Sequence, residues 1–449
     1  MTITAMVEKL FPFAYSIASK GCDDAISVYL EELPFQVHEY SSGSRLNGWF
    51  IPPYWSVQKA EIRKNGKLIY NGCSSPLGVG VLSPSFKGKI SFENLKSHLA
   101  YSDTLNDAIP YHWSNLYNPN KPDWFFCMPK KIFDKLEYGE YDVELETTTQ
   151  NGTMKVLDYV LPGETSEIVL LNGHNCHPFQ ANDDLSGICV AIETVKRLSK
   201  LHKRRLTYRI LIGPELHGPM FWLKENWETL CNDLKATILF KSVGNDAPLR
   251  LQHSYESDKP IDQAAMLAMQ QHYGDFERGE FRTIYGNDET VFEAPPYNIP
   301  TITLTRWPFA EYHTDLDRPD CISEKHLEDC VRVALSICQN LEYDVRFVRN
   351  FKGLVCLSSH ELYKQIPPVK KSGVNYNSLQ GRWNRLMNCL PREIENNKSV
   401  IELSHEFNLP TAELYEYLMQ WVAEGLLIKK DTKINKSKYC AEGITEKNK

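Results

Sequence analysis

From about residue 155, short apolar runs alternate with an amphipathic segment, and this alternation constrains the fold more than any other feature of the 449-residue chain. The patterns predict strands at 167–171, 206–212 and 236–240 and a helix at 185–201. Such alternation indicates an α/β architecture with a largely parallel sheet. Because active sites of these sheets lie at the carboxyl ends of strands, we expect the polar clusters of the chain to meet there.

Two regions lack this alternation. Residues 47–154 combine short aromatic and β-branched runs with turn signals at Asn65-Gly66 and Asn151-Gly152, which are typical of hairpins. They predict a small all-β domain inserted into a catalytic domain formed by residues 1–46 and 155–366. Residues 367–373 have the composition of a linker, and residues 373–449 show the helix, turn, helix, strand order of a winged-helix domain.

The composition excludes several classes of protein. Hydrophobic residues make up 42% and charged residues 24%, which is ordinary for globular domains. No apolar stretch approaches the roughly 20 residues of a membrane-spanning helix. A net charge of −7 gives no general attraction to nucleic acid or to an anionic membrane. The twelve cysteines form no CxxC pair and the start of the chain does not resemble a secretory signal, so we expect reduced thiols in a cytoplasmic protein.

The predicted winged-helix domain is close to electrically neutral, which argues against DNA binding. Its second helix, residues 411–424, carries Glu413, Glu416 and Glu424 and no lysine or arginine. A helix that enters the major groove beside phosphates needs the opposite charge. We therefore expect this domain to pack on the catalytic domain or on a partner chain, which includes a homo-oligomer.

Three polar clusters follow predicted strands. His174, His177 and Asp183 lie in one loop after the first strand, and such imidazole and carboxylate groups can bind a divalent metal. Glu215 follows the second strand and could act as a general base on a metal-bound water. His313 belongs to a later cluster. Taken singly, these segments are also compatible with a helix-capping aspartate, an ordinary polar loop and a surface turn.

The order of the clusters resembles the zinc aminopeptidase superfamily, which includes bacterial leucyl aminopeptidases, glutamate carboxypeptidases and glutaminyl cyclases. A closer resemblance, over almost the whole chain, is to bacterial aminopeptidase-like proteins with an inserted β domain and a C-terminal winged helix. The matching strings are Asn182-Asp183-x-x-Ser186-Gly187, His174-x-Cys176-His177-Pro178, Pro214-Glu215, Gly286-x-Asp288-Glu289 and Tyr312-His313-Thr314-x-x-Asp317. The resemblance implies a three-layer α/β catalytic domain and a dedicated biosynthetic setting, such as a natural product or a surface polysaccharide.

The chain departs from the two-zinc members of that superfamily at two positions. Leu216 stands where they have a second carboxylate after the base, and Lys241-Ser242 stands where they have an acid before a Val-Gly pair. The resemblance then leaves His174, Asp183 and His313 as metal ligands. Three protein ligands and an open position suit one catalytic zinc per chain.

Four neighbouring residues have less certain roles. His177 could replace a lost ligand, although we expect a substrate or supporting role for it. The Cys176 thiolate could bind zinc or be structural. Tyr312 is expected to contact substrate. Asp317 either orients a ligand histidine through its second nitrogen or caps a turn.

Two further strings are candidates for substrate binding. Asp288 and Glu289 could form an anionic patch for a substrate ammonium, as an aminopeptidase requires, or could belong to an ordinary turn. Arg306 could clamp a carboxylate or form a buried ion pair.

These features predict a zinc-dependent amide or peptide bond hydrolase of aminopeptidase type that acts on a small peptide or amide. One alternative keeps the same single-zinc site and performs acyl transfer or deacylation. The other is a non-catalytic scaffold that binds through the winged helix.

Overall fold

The computed structural model describes residues 2–364 and 375–430. The helices are Ile3–Leu10 (α1), Lys20–Glu32 (α2), Phe92–Lys96 (α3), Ser114–Tyr117 (α4), Lys130–Phe133 (α5), Ser186–Ser199 (α6), His217–Leu230 (α7), Pro260–Tyr273 (α8), Glu289–Phe292 (α9), Glu324–Glu342 (α10), Leu379–Glu395 (α11), Val400–Phe407 (α12) and Thr411–Ala423 (α13). The strands are Gln36–Ser41 (β1), Arg45–Leu46 (β2), Trp49–Phe50 (β3), Tyr54–Lys64 (β4), Lys67–Asn71 (β5), Phe86–Ser91 (β6), Leu99–Ala100 (β7), Phe126–Cys127 (β8), Glu140–Gln150 (β9), Thr153–Leu161 (β10), Ile168–His174 (β11), Thr207–Gly213 (β12), Leu234–Lys241 (β13), Arg250–Gln252 (β14), Arg278–Gly279 (β15), Thr301–Thr305 (β16), Arg346–Arg349 (β17) and Leu427–Lys430 (β18).

A mixed eight-stranded sheet forms the centre of the molecule, with strand order β1-β10-β12-β11-β13-β16-β14-β15. Strands β12, β11, β13 and β16 are mutually parallel. Every residue of β11 is buried. Val169 and Leu171 pack in a core shared with α1, α6, α8 and α10, whereas Ile168 and Leu170 pack with α7 and α9. Helices therefore cover both faces of the sheet, and the predicted α/β architecture is confirmed.

A second, four-stranded antiparallel sheet has the order β5-β4-β9-β6 and its own apolar cluster, which includes Ile62 and Val143. The Asn65-Gly66 hairpin between β4 and β5 is confirmed, and both residues have positive φ, 51° and 80°. This part of the chain also contains the short helices α3, α4 and α5, so it is not built from strands alone.

The predicted hairpin at Asn151-Gly152 is wrong. Strand β9 before it belongs to the four-stranded sheet, and β10 after it belongs to the central sheet. A Cβ atom at position 152 would collide with the ring of Tyr54. Glycine is thus required there by a close approach between the sheets and not by a tight turn.

After β17, helices α11, α12 and α13 share an apolar cluster, and β18 pairs antiparallel with β17. Leu414, Leu418 and Trp421 of α13 are buried in this cluster together with Phe347 of β17. Helix α11 was not expected from the sequence. The predicted linker at 367–373 lies outside the described residues, and the predicted domain boundaries stay predictions. Within residues 2–364 and 375–430, no helix is both long enough and apolar enough to cross a membrane.

Candidate active site

The polar clusters meet at the carboxyl ends of the parallel strands. His174 is the last residue of β11, Lys241 is the last residue of β13, and Glu215 follows β12. Asp183 lies in the loop between β11 and α6, and His313 lies in the loop after β16. Because β12, β11, β13 and β16 are consecutive parallel neighbours, residues distant in sequence converge at one edge of the sheet.

Asp183 is the centre of the cluster and is fully buried. Its Oδ1 accepts a hydrogen bond from the Lys241 ammonium and lies 3.5 Å from Nε2 of His174. Its Oδ2 lies 3.6 Å from Nε2 of His177 and 3.4 Å from Nε2 of His313. Burial by itself would raise the pKa of Asp183, but the Lys241 charge and the two histidines His174 and His177 together outweigh burial and hold this pKa well below its usual value. Asp183 is therefore a carboxylate.

Lys241 occupies the space between Asp183 and His174. Its Nζ lies 2.9 Å from Nε2 of His174 and the side chain is fully buried. Burial alone would lower the pKa of Lys241, but Asp183, together with Glu215 and the hydroxyls of Tyr285 and Tyr312, raises it well above the usual value. Since an ammonium can only donate, Nε2 of His174 must be the acceptor. The imidazole proton is then on Nδ1, which lies 3.6 Å from Sγ of Cys176.

The other side of Asp183 contains two imidazoles with no such cation. His177 directs Nδ1 at the carbonyl oxygen of Pro178, 2.9 Å away, so Nδ1 donates to this oxygen and Nε2 is the ring nitrogen that faces Asp183. Among the described residues, neither His177 Nε2 nor Asp183 Oδ2 has a hydrogen-bond partner, and both atoms are buried. Burial lowers the pKa of His313 to about 3, so this imidazole is neutral near pH 7.

His177, Asp183 and His313 thus form a group whose ligand atoms all lie within 4.8 Å of one another. Imidazole nitrogens and carboxylate oxygens are ligands that zinc prefers. The buried atoms that lack partners are those that a metal ion would satisfy. This group differs in one histidine from the set expected from the sequence, because Lys241 engages His174.

A second group, formed by His174, Cys176 and Glu215, also has its ligand atoms within 4.8 Å. Burial raises the pKa of the Cys176 thiol well above its usual value and raises the pKa of Glu215. Burial disfavours the ionised forms of Cys176 and Glu215, so this group suits a dication less well than the group that contains ionised Asp183.

Asp317 holds the loop that carries Asp183. It is fully buried, and its two oxygens accept the backbone N–H groups of Asn182 at 2.7 Å and of Asp183 at 3.0 Å. The sequence left open whether Asp317 orients a histidine or caps a turn. The structure shows instead that it fixes the backbone around the carboxylate.

Tyr111 connects the region of the four-stranded sheet to the two histidines. Its ring stacks on His177 with centroids 4.6 Å apart and meets His313 edge-on at 5.4 Å. Its N–H donates to the carbonyl oxygen of His313 at 2.7 Å.

An open cleft of about 330 Å³, hereafter the cleft, leads to these groups and is lined by residues that include Tyr111, Glu215, Arg282, Tyr312 and His313. Burial raises the pKa of Glu215, although the Lys241 charge acts in the opposite direction. Tyr312 stacks on His313 with centroids 3.8 Å apart. Glu215 and Tyr312 therefore both line the cleft, and their roles as base and substrate contact stay predictions.

Three predicted substrate-binding residues do not line the cleft. Asp288 and Glu289 are buried. Arg306 is also buried, and it donates to Asp329 at 3.0 Å and to the carbonyl oxygen of Ala247 at 2.7 Å. For Arg306 the structure agrees with the buried ion pair that the sequence left open.

Lys241, Tyr111 and Arg282 were not recognised as site residues from the sequence. For Lys241 a signal was present, because a lysine stands where two-zinc proteins of similar sequence have an acid. For Tyr111 and Arg282 no local pattern marks the residue.

Comparison with solved structures defines the class of protein. A Clostridium acetobutylicum crystal structure, named provisionally as a peptidase, matches with a TM-score of 0.78 and 23% identity, over 95% of this chain and 96% of that chain. BSAP, a zinc aminopeptidase from Bacillus subtilis, matches with a TM-score of 0.57 and 13% identity, over 76% of this chain and 94% of that chain. The fold is that of an aminopeptidase-like protein.

The particular family follows from the sequence. The family described as "Domain of unknown function (DUF4910)" matches residues 4–344, and the chain belongs to it. A Clostridium acetobutylicum protein, named provisionally as a polysaccharide biosynthesis protein with an aminopeptidase-like domain, is 28% identical over 365 residues, which are 80% of this chain and 82% of that protein. The resemblance to bacterial aminopeptidase-like proteins is confirmed.

Proposed function

We propose that this protein is a zinc-dependent amide-bond hydrolase with one metal ion, held by His177, Asp183 and His313. The observation that carries the proposal is a pair of buried atoms, His177 Nε2 and Asp183 Oδ2, that have no hydrogen-bond partner in the described part of the chain. They face the Nε2 atom of His313, so three ligand atoms converge. Three protein ligands with an open position suit a catalytic zinc.

Lys241 supports a single ion. Its ammonium already neutralises Oδ1 of Asp183 and occupies Nε2 of His174, which are the two groups that a second ion would need. A dication placed there would meet a buried positive charge at contact distance, and such repulsion is weakly screened away from water. In this proposal Oδ2 of Asp183 binds the metal ion, and Oδ1 accepts a hydrogen bond from Lys241.

A zinc ion bound by these residues would polarise the substrate carbonyl and lower the pKa of a water molecule. Glu215 takes a proton from the attacking water and delivers it to the leaving nitrogen. A carboxylate whose pKa is raised toward the working pH suits both transfers. Tyr312, packed on His313, forms one wall of the cleft beside this base.

The proposal also assigns roles to the two regions outside the predicted catalytic domain. Residues 47–154 act as an inserted β domain that forms a wall of the cleft, which its own apolar cluster and the position of Tyr111 support. Residues 375–430 act as a winged-helix domain that packs on protein and not on DNA, because α13 carries Glu413 and Glu416 without a basic residue. The name of the Clostridium relative supports a setting in polysaccharide biosynthesis.

The test compares Glu215→Gln with Glu311→Gln, a glutamate of the third cluster, on free-amine and N-acylated peptides, with products identified by mass spectrometry. We expect Glu215→Gln to keep its metal and to lose at least about 10²-fold in kcat/KM. Glu311→Gln should retain activity. The proposal fails if Glu215→Gln keeps full activity, or if the metal-replete wild type hydrolyses none of the peptides. Products joined to a second substrate would indicate acyl transfer.

A further inference from the structure

The cleft offers a substrate a single carboxylate, Glu215, among its described lining residues. The two acids expected to bind a substrate ammonium are enclosed, since Asp288 and Glu289 are 0% and 1% exposed. Asp288 accepts the N–H of Leu216 at 2.6 Å, and both oxygens of Glu289 accept the N–H of Asn287 at 2.8 Å. If Glu215 moves protons, a free amino terminus has no dedicated anion in this cleft.

The cleft does contain an accessible guanidinium. The side chain of Arg282 is 46% exposed and lines the cleft. Its Nη1 donates to Thr290 and lies 3.7 Å from Glu289, while its other N–H groups have no partner among the described residues. Burial raises the pKa of Glu289 to about 7, so near neutral pH this carboxyl neutralises the guanidinium only in part.

Local structure holds Arg282 in this position. Its backbone is left-handed, with φ 57°, which is uncommon for a residue with a side chain. A Cβ atom on Gly286 would collide with Nη2 of Arg282, so the absence of a side chain at position 286 makes room for the guanidinium.

The same cleft has an apolar wall. Trp113 and Tyr117 line it, are 44% and 49% exposed, and have ring centroids 5.1 Å apart. Large exposed aromatic side chains in a cleft favour contact with an apolar or planar part of a ligand.

We propose that the substrate is an anionic amide, such as an N-acylated amino acid, whose acidic group binds Arg282 and whose acyl part packs against Trp113 and Tyr117. This rests on the hydrolase function proposed above. The reaction breaks the amide C–N bond, the water oxygen bonds to the acyl carbon, and Glu215 carries the water proton to the leaving nitrogen. The products are a carboxylic acid and an amine that retains the acidic group. Carboxylate and phosphate both satisfy a guanidinium, and the test separates them.

The experiment is calorimetry on the metal-replete full chain with three probes of similar shape. N-acetyl-L-phenylalanine is anionic, N-acetyl-L-phenylalaninamide is neutral and L-phenylalaninamide is cationic. We expect the anionic probe to bind most tightly, and Arg282→Gln to weaken it about tenfold or more, the typical loss for a hydrogen bond to a charged group. The neutral probe should bind Arg282→Gln and wild type equally. Arg282→Lys should retain part of the preference for the anionic probe over the neutral one. The matched control is Arg63→Gln, because Arg63 is 39% exposed, pairs with Glu61 and lies outside the cleft.

Several results would overturn the proposal. They are a cationic probe that binds most tightly, an anionic probe that does not bind wild type, and an Arg282→Gln variant that weakens all three probes equally or none. Competition by inorganic phosphate that is stronger than competition by acetate would identify the acidic group as a phosphate. These measurements do not depend on turnover, so they test the charge preference separately from the hydrolase function. The hydrolase function is tested by the metal content and by the activity of Glu215→Gln.

Discussion

The two oxygens of the Asp183 carboxylate have opposite surroundings. Oδ1 faces Lys241 and His174, which form a closed set of hydrogen bonds. Oδ2 faces the Nε2 atoms of His177 and His313, at 3.6 and 3.4 Å, and has no hydrogen-bond partner among the described residues. A buried anion needs a compensating charge. At Oδ1 the compensating charge is the Lys241 ammonium. At Oδ2 the chain supplies only the two imidazoles, which could bind a metal ion. The Lys241 side is therefore complete without a metal and the His177 side is not.

The sharpest way to break this comparison is to remove ligands one at a time. His177→Ala and His313→Ala should each reduce the metal content from about one zinc per chain to none, since two protein ligands seldom retain a catalytic zinc. His174→Gln should keep the metal, because His174 hydrogen-bonds Lys241. Elemental analysis of the purified variants measures this directly. If His174→Gln loses the metal while His177→Ala retains it, the ligand set expected from the sequence is correct and the geometric set is not.

Replacing Lys241 tests the Oδ1 side of Asp183. Lys241→Asp should raise the metal content from about one to about two per chain, because His174, Asp183 and the new carboxylate would form a second three-ligand site. The control is Lys235→Asp, a partly buried lysine of the same strand whose Nζ contacts the carbonyl oxygen of Asn232. Mass spectrometry under native conditions counts the ions. Folded Lys241→Asp protein with a single ion would show that Lys241 does not take the place of a metal.

The smallest effect is expected from the part of the chain farthest in sequence from the site. A variant that ends at residue 364 should still bind about one zinc, because every proposed ligand precedes that point. It should be less stable or less soluble, since β17 loses its partner β18 and Phe347 loses its apolar neighbours. Metal analysis and thermal denaturation measure the two effects. A folded variant without metal would mean that the C-terminal region contributes to the site.

The sequence was enough to predict which strands position the site residues. It was not enough to predict which of their side chains contact one another. The parallel strands are recognisable in the sequence because β11 is buried on both faces and its first four residues are apolar. The positions of Glu215 and His313 near the sheet edge could be predicted because both residues follow strands. The contact between Lys241 and His174 depends on the reach of side chains across the adjacent strands β11 and β13, which no local pattern reports. Asp288 and Glu289 were candidates for an anionic patch that binds a substrate ammonium, and an ordinary turn was the alternative. The structure buries them, since their oxygens accept backbone N–H groups.

The link between Tyr111 and the two histidines has a consequence for the order in which the site forms. Next to Tyr111, the N–H of Ile109 donates to Asp315, which is 206 residues later in the chain. The backbone around Asp183 likewise depends on Asp317, 134 residues later. Contacts of such long range close large loops and form slowly compared with local structure. During synthesis, the early strands can fold well before the ribosome has delivered His313. The last third of the chain thus determines when the proposed metal ligands come together.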